Sequence, residues 1–298
     1  TRSSAHVRNT CIPPRLMKGD LVGLIAPASP PTDDARIRRG ISALLEHGYY
    51  TRLGWSVGLR DGYLSGPDHI RAQDVMDLFL DERVGAILCT RGGYGSARLL
   101  DLLDYDAIRR HPKILVGFSD ITALSLALYA RTGLITFAGP MVAVEFAAGI
   151  LPETERAFWN ILTVRHDTLP LGKGDAQPYT GGTVEGSLLG GNLTVFCSMI
   201  GTPYMPDLRG AVLFFEDVGE PVYSIDRMFL QLRQAGILQS AAGIVLGSFS
   251  SIPVGDQQRT LDMVFDEYLR PLRIPVLRNF PFGHIPRKST LPLGANVR

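Results

Sequence analysis

The sequence predicts an α/β protein of two domains, the first built on a parallel sheet. Three observations carry this. The first half alternates short apolar runs with amphipathic helical stretches, the pattern of βα units whose helices cover both faces of a parallel sheet. After about residue 182 the texture changes to short strands with fewer clear βαβ units. The 298 residues suffice for two domains of ordinary size and a sizeable core. The expected division is 1–165, with a loose tail over 1–17, and 166–298, with a linker over 166–182.

The elements follow in order. Residues 21–26 form an apolar run ended by Pro27, which suggests a central parallel strand. Thr32 is the expected N-cap of the next helix, with Asp33 and Asp34 in its first turn and Gly48 beyond its end. Ile37, Ile41, Leu44 and Leu45 supply its apolar face. Residues 49–53 read as a second strand, and Asp68 as the cap of a helix running to about residue 80. Strands follow over 84–89, where Cys89 reads as a small core hydrophobe, and over 114–117. A helix over 121–131 closes at Gly133, and a strand over 134–138 follows. Residues 140–182 are less regular, apart from a helix over 153–163, and read as a connection between the domains. Beyond it, strands are expected over 183–187, 211–216 and 243–250, and helices over 192–200, 224–235 and 259–269.

Composition excludes several function classes. A net charge of +1 makes no electrostatic case for nucleic acid or an anionic membrane. Three widely spaced cysteines argue against a disulfide framework and a cysteine-based zinc site. No HxxxH or HxH spacing appears, so a metal site has little support, and no cofactor is expected. No stretch has the apolar length of a membrane span. Residues 1–18 are basic without the apolar centre of a secretory signal. The expectation is a soluble cytoplasmic protein.

Three segments could carry chemistry. Gly117-Phe118-Ser119-Asp120 places a serine on a sharp strand-to-helix turn, where a hydroxyl is accessible and a helix N-terminus favours an anion. The competing reading of Ser119 is a plain helix cap. Thr90-Arg91-Gly92-Gly93-Tyr94-Gly95 directly follows a strand. It reads as a phosphate cradle, as an oxyanion hole built from backbone N–H groups, or as a tight turn. It lacks a third glycine and a P-loop lysine, which weakens the phosphate reading. Glu216 ends an apolar strand, and His284 sits in the aromatic, proline-rich loop 280–286. A serine nucleophile needs a base and the base an orienting acid, and here the chain order would be Ser, Glu, His. Spacing alone leaves open whether these residues meet.

The same blocks carry a resemblance that extends from about Lys18 to Arg298. Residues 19–30, the loop Arg91-Gly92-Gly93-Tyr94-Gly95, Gly117-Phe118-Ser119-Asp120, residues 186–193, residues 216–220 with Ile225-Asp226-Arg227, and Gly283-His284 with Leu291-Pro292-Leu293-Gly294 stand in the order of one family. The chain resembles the LD-carboxypeptidases, the muramoyltetrapeptide carboxypeptidases, whose other branch includes the microcin C immunity peptidases. The resemblance implies Ser119 as nucleophile, His284 as general base and Glu216 as its orienting acid, with the backbone N–H groups of Gly93 and Asp120 as oxyanion hole. It implies a flavodoxin-like N-terminal domain, a smaller C-terminal α/β domain, an active site in the cleft between them, and a homodimer. The implied reaction is hydrolysis of an L,D-peptide bond, releasing D-alanine from a murein tetrapeptide or related muropeptide during peptidoglycan recycling. Arg91 and Asn192 are candidates for binding the terminal carboxylate, with a structural salt bridge as the competing role of Arg91. Phe118 stands where the family commonly has tyrosine, and Ile285 and Arg287 lie in a variable stretch that bears on substrate preference. Two alternatives stand beside this reading: a peptidyl-nucleotide-cleaving immunity peptidase, and a non-catalytic anion- or nucleotide-binding module using the glycine loop.

Overall fold

The computed structural model describes residues 10–164, 168–172, 174–253 and 259–298. Five parallel strands form the first sheet: β1 (Leu21–Ile25), β2 (Tyr50–Leu53), β3 (Val84–Cys89), β4 (Ile114–Val116) and β5 (Thr136–Ala138). Their spatial order is 2-1-3-4-5, the flavodoxin-like order in which the strand order reverses between β1 and β3. Helices α1 (Ala35–Glu46), α2 (Asp68–Leu80), α3 (Tyr105–Arg110) and α4 (Thr122–Thr132) connect these strands.

Alternation along the strands explains the layering. Val22, Leu24, Ala86, Leu88, Ile114 and Val116 pack on one face, with Leu44 of α1. Ile25, Ile87, Cys89 and Leu115 pack on the other, with Val75 and Phe79 of α2 and Leu124 of α4. A strand covered on both sides can be apolar throughout. Cys89 is wholly buried, and burial pushes its thiol well above the usual range.

After α5 (Pro152–Thr163) the chain builds a second sheet from β6 (Gln177–Thr180), β7 (Gly186–Asn192), β8 (Val212–Val218), β9 (Gly243–Ser250) and β10 (Val276–Arg278). β7, β8, β9 and β10 run parallel and β6 lies antiparallel on β10. The helices are α6 (Leu193–Met199), α7 (Val222–Gln234), α8 (Ile237–Ser240) and α9 (Leu261–Leu269). The last residues join both sheets: β11 (Leu291–Leu293) pairs with β5 and β12 (Asn296–Val297) pairs with β7, both antiparallel. One apolar core runs from Leu115 and Leu124 to Leu189, Phe214 and Phe229.

Several expectations are corrected. Thr32 does not cap α1. Asp33 lies nearer the helix start, and its Oδ1 accepts from the Ala35 N–H at 2.8 Å. Asp68 is the first residue of α2, after Pro67, and its carboxylate pairs with Arg71 and Arg98. Residues 10–17, expected in a loose tail, are fastened down. Cys11 N–H donates to Gly133 O at 2.8 Å, Leu16 N–H donates to Leu162 O at 2.8 Å, and Leu16 is buried. Residues 177–180, expected in the linker, form β6 because β10 offers them an unpaired edge. The strand expected over 183–187 starts at Gly186 and runs on to Asn192. Residues 1–9 of the expected tail, and residues 165–167 and 173, which span the expected domain boundary and part of the linker, lie outside the described residues. Among the described residues no helix is long and apolar enough to cross a membrane.

Candidate active site

β4 delivers Ser119 to the carboxyl edge of the first sheet. Phe118 is extended, and Ser119 then adopts a left-handed backbone at φ 64°. Such a conformation is costly for a residue with a Cβ and clusters at functional sites. The next turn opens α4, so Ser119 stands where strand becomes helix. Its Oγ is 3.0 Å from His284 Nε2. His284 Nδ1 is 2.7 Å from Glu216 Oε2. The three residues expected as nucleophile, base and acid therefore form one hydrogen-bonded chain. With Nδ1–H donating to the carboxylate, Nε2 is left to accept the serine proton.

Two neighbouring strands support Glu216. β7 and β8 pair with Asn192 beside Glu216. The Asn192 Nδ2 donates to Glu216 Oε1 at 3.2 Å and to Asp217 Oδ1 at 2.9 Å, and its Oδ1 accepts from Val195 N–H at 3.1 Å as the cap of α6. Asp217 Oδ2 accepts from Thr194 N–H at 2.9 Å and Oγ1 at 2.8 Å. Burial pushes the Asp217 carboxyl up, against these hydrogen bonds. Glu216 itself is wholly buried, so its carboxylate is directed by fixed donors.

His284 comes from a loop anchored on β9. Phe280 N–H donates to Leu246 O at 3.0 Å and Ser248 N–H to Phe282 O at 2.8 Å. Gly283 then passes against Glu216 at φ 123°. A Cβ there would sit 2.9 Å from Glu216 Oε2 and 3.0 Å from its Cβ. Only glycine combines that φ with that approach.

The glycine loop lies against the serine. A Cβ on Gly92 would be 3.1 Å from Ser119 Cβ and 3.3 Å from its Oγ. Ser29, just beyond β1, accepts from Tyr94 N–H at 3.1 Å through its Oγ and donates its own N–H to Gly92 O at 3.2 Å. Asp120 ties the loop to the serine turn. Its carboxylate accepts from Gly95 N–H at 3.3 Å and Ser96 N–H at 2.8 Å, and Ser96 Oγ donates to Asp120 O at 2.7 Å. Burial pushes the Asp120 carboxyl up, and those hydrogen bonds oppose the shift. From behind, the fully buried Arg71 donates to Pro27 O, to Gly95 O at 3.0 Å and to Gly66 O at 3.1 Å, and pairs with Asp68.

The two candidates for a carboxylate ligand are both engaged. Arg91 Nη1 donates to Pro30 O at 2.7 Å, and Asn192 spends both of its amide donors on carboxylates of the same strand, β8. Sequence reasoning missed Ser29, Arg71 and the carboxylate of Asp120. An arginine inside an amphipathic helix gives no signal that it will be buried. Of the other histidines, His47 stacks on Trp159 at 5.1 Å, His69 lies in α2 and His111 Nδ1 lies 3.0 Å from Ala107 O, while His6 and His166 lie outside the described residues. Among the described residues no group of three His, Cys, Asp or Glu could hold a metal ion.

Both halves of the chain match family profiles, the LD-carboxypeptidase N-terminal domain over residues 22–139 and the LD-carboxypeptidase C-terminal domain over residues 185–298. The chain belongs to the LD-carboxypeptidase family. It is 38% identical over 288 residues to a probable murein peptide carboxypeptidase of Bacillus subtilis, covering 96% of this chain and 90% of the relative. Its fold superposes on the microcin C7 self immunity protein MccF in complex with aspartyl sulfamoyl adenosine with a TM-score of 0.89, at 33% identity over 96% of this chain and 94% of the other. The muramoyltetrapeptide carboxypeptidase of Oxalobacter formigenes matches with a TM-score of 0.80, at 32% identity over 93% of each chain. This LD-carboxypeptidase relative therefore stands close both to murein peptidases and to an immunity protein.

Proposed function

We propose that this LD-carboxypeptidase family member is a serine carboxypeptidase that hydrolyses an L,D-peptide bond and releases terminal D-alanine from a murein tetrapeptide. The observation that carries the reading is the Ser119–His284–Glu216 chain, with links of 3.0 and 2.7 Å. In the proposed reaction His284 Nε2 takes the Ser119 proton as Oγ attacks the carbonyl carbon of the L-centre. The tetrahedral oxyanion is received by the N–H groups of Gly93 and Asp120. Asp120 lies in the first helical turn, where N–H groups lack intrahelical partners, and each donor is worth roughly 3 kcal/mol in the transition state. His284 then gives its proton to the leaving D-alanine amine. Water, activated by the same imidazole, hydrolyses the acyl-enzyme and restores Ser119. Glu216 stabilises the imidazolium and holds its tautomer, and Asn192 holds Glu216 rather than substrate. Arg91 keeps guanidinium nitrogens beyond its bond to Pro30, and we assign it the terminal carboxylate.

A second reading is cleavage of a peptidyl-nucleotide, supported by the likeness to MccF. Solved structures of that relative include a tryptophan-to-phenylalanine variant with adenosine monophosphate. Here Trp55 and Trp159 are the two tryptophans, and residues 160–298 contain none, which favours the murein reading. We further propose a cytoplasmic homodimer acting in peptidoglycan recycling, with light scattering of the purified protein as the test of the dimer.

Mass spectrometry of L-Ala-D-Glu-meso-diaminopimelate-D-Ala, incubated with the protein and with a Ser119→Ala control, tests the main reading. Release of D-alanine by the parent alone is expected. Intact tetrapeptide alongside a cleaved aspartyl sulfamoyl adenosine would transfer the function to the second reading.

A further inference from the structure

Lys288 takes no part in the proposed chemistry, yet it is buried beside it. Its side chain is 1% exposed, and Nζ is 2.5 Å from Glu145 Oε1. The same ammonium lies 4.0 Å from the centre of the Phe118 ring, within cation–π range. Phe118 immediately precedes Ser119, and its ring centre is 5.0 Å from that of His284. One aromatic ring is thus shared by a buried cation and the imidazole.

The backbone around Lys288 follows the same plan. Lys288 N–H donates to Thr154 Oγ1 at 3.0 Å, and that hydroxyl donates to Pro286 O at 3.2 Å. Ser289 N–H donates to Pro281 O at 2.6 Å and closes the loop 281–289 that carries His284. Glu145 is in turn held by Met141 N–H at 2.8 Å. Thr154 lies in the first turn of α5 and Glu145 in the π turn Val142–Phe146, both in the half of the chain that carries Ser119. A buried ion pair seldom adds stability over a well-packed apolar pair. This one sits where the histidine loop is docked on the serine's domain.

We propose that Lys288 is a positioning residue: with Glu145 it docks the His284 loop on the Ser119 half and, through the Phe118 ring, fixes the imidazole in line with Ser119 Oγ. The inference rests on the proposed triad, so its test includes a readout that needs no substrate. The probes are kcat and KM on the murein tetrapeptide, the melting temperature, and the proton NMR resonance of the His284 Nδ1–H that faces Glu216. Lys288→Met is expected to lower the melting temperature and cut kcat at least ~10-fold, with KM within about twofold, as expected for a misplaced reacting group. Adding Glu145→Gln removes the unpaired carboxylate. The double variant should regain melting temperature but not kcat, and its Nδ1–H resonance should broaden or shift. Lys288→Arg should keep both the resonance and most of kcat. Recovery of kcat together with melting temperature in the double variant would overturn the proposal, leaving Lys288 a structural ion-pair partner. If the double variant fails to fold, Phe118→Leu carries the test: an unchanged resonance and kcat there would equally overturn it. A wild type that cleaves no tetrapeptide but shows a Lys288-dependent resonance would sink the substrate assignment and uphold the positioning.

Discussion

Ser119 is a residue whose backbone carries information its side chain does not. A serine at φ 64° is held there by what surrounds it, chiefly the strand before it, the helix after it and the Asp120 bonds to Gly95 and Ser96. Ser119→Ala is expected to fold normally and to lose roughly 10⁴-fold or more in kcat on the tetrapeptide, measured by D-alanine release. Glu216→Gln leaves the strand in place but turns an acceptor into a possible donor, which favours the wrong imidazole tautomer. A loss of roughly 10⁴-fold is expected there too, and an activity within tenfold of wild type would remove Glu216 from the triad. Gly283→Ala forces a Cβ to within 2.9 Å of Glu216 Oε2 at a φ of 123°. It should lower both melting temperature and kcat.

At the scale of elements, the site depends on how loops are tied to strand ends. α2 supplies Arg71 and Asp68, which hold the glycine loop from behind, and Arg98 joins them from the turn Ser96–Leu102. Hydrogen bonds from Arg98, with those from Arg71, hold the Asp68 carboxyl below its usual value of 3.8. A carboxyl depressed in the folded state binds fewer protons there than in the unfolded chain, so its contribution is complete above that value and fades as pH falls below it. The stability gap between wild type and Asp68→Asn should therefore be constant from about pH 5 to 7 and shrink below pH 3.8. Urea unfolding across that range checks it, and a gap independent of pH would refute the charge argument. Asn192→Ala removes both the α6 cap and a donor to Glu216. A cost of about 1 kcal/mol is expected from the cap alone, together with a lower kcat.

For the whole molecule, the core is continuous across the two sheets, and the last eight residues, 291–298, pair with one sheet and then the other. Calorimetry should therefore show one unfolding transition, because the core on one face of the first sheet continues into the second sheet and is lost when either unfolds. Two resolved transitions would contradict a shared core. Removing residues 291–298 should abolish that cooperative transition, since it strips an edge strand from each sheet.

The α/β class and the strand–helix order of the first half are legible in the residues alone, because buried parallel strands and amphipathic helices write their periods locally. So are Ser119, Glu216, His284 and the glycine loop as strand-end or loop features, and the family they resemble. What depends on distance across the chain appears only in the folded molecule. The meeting of residues 119, 216 and 284 needs β4, β8 and the loop after β10 to end at one edge. The engagement of Asn192 with Glu216 follows from a register between parallel strands that no local pattern records. The burial of Arg71 and Lys288 is equally invisible in sequence. A lone cation in a polar stretch reads as solvated until packing removes the water and supplies its partners.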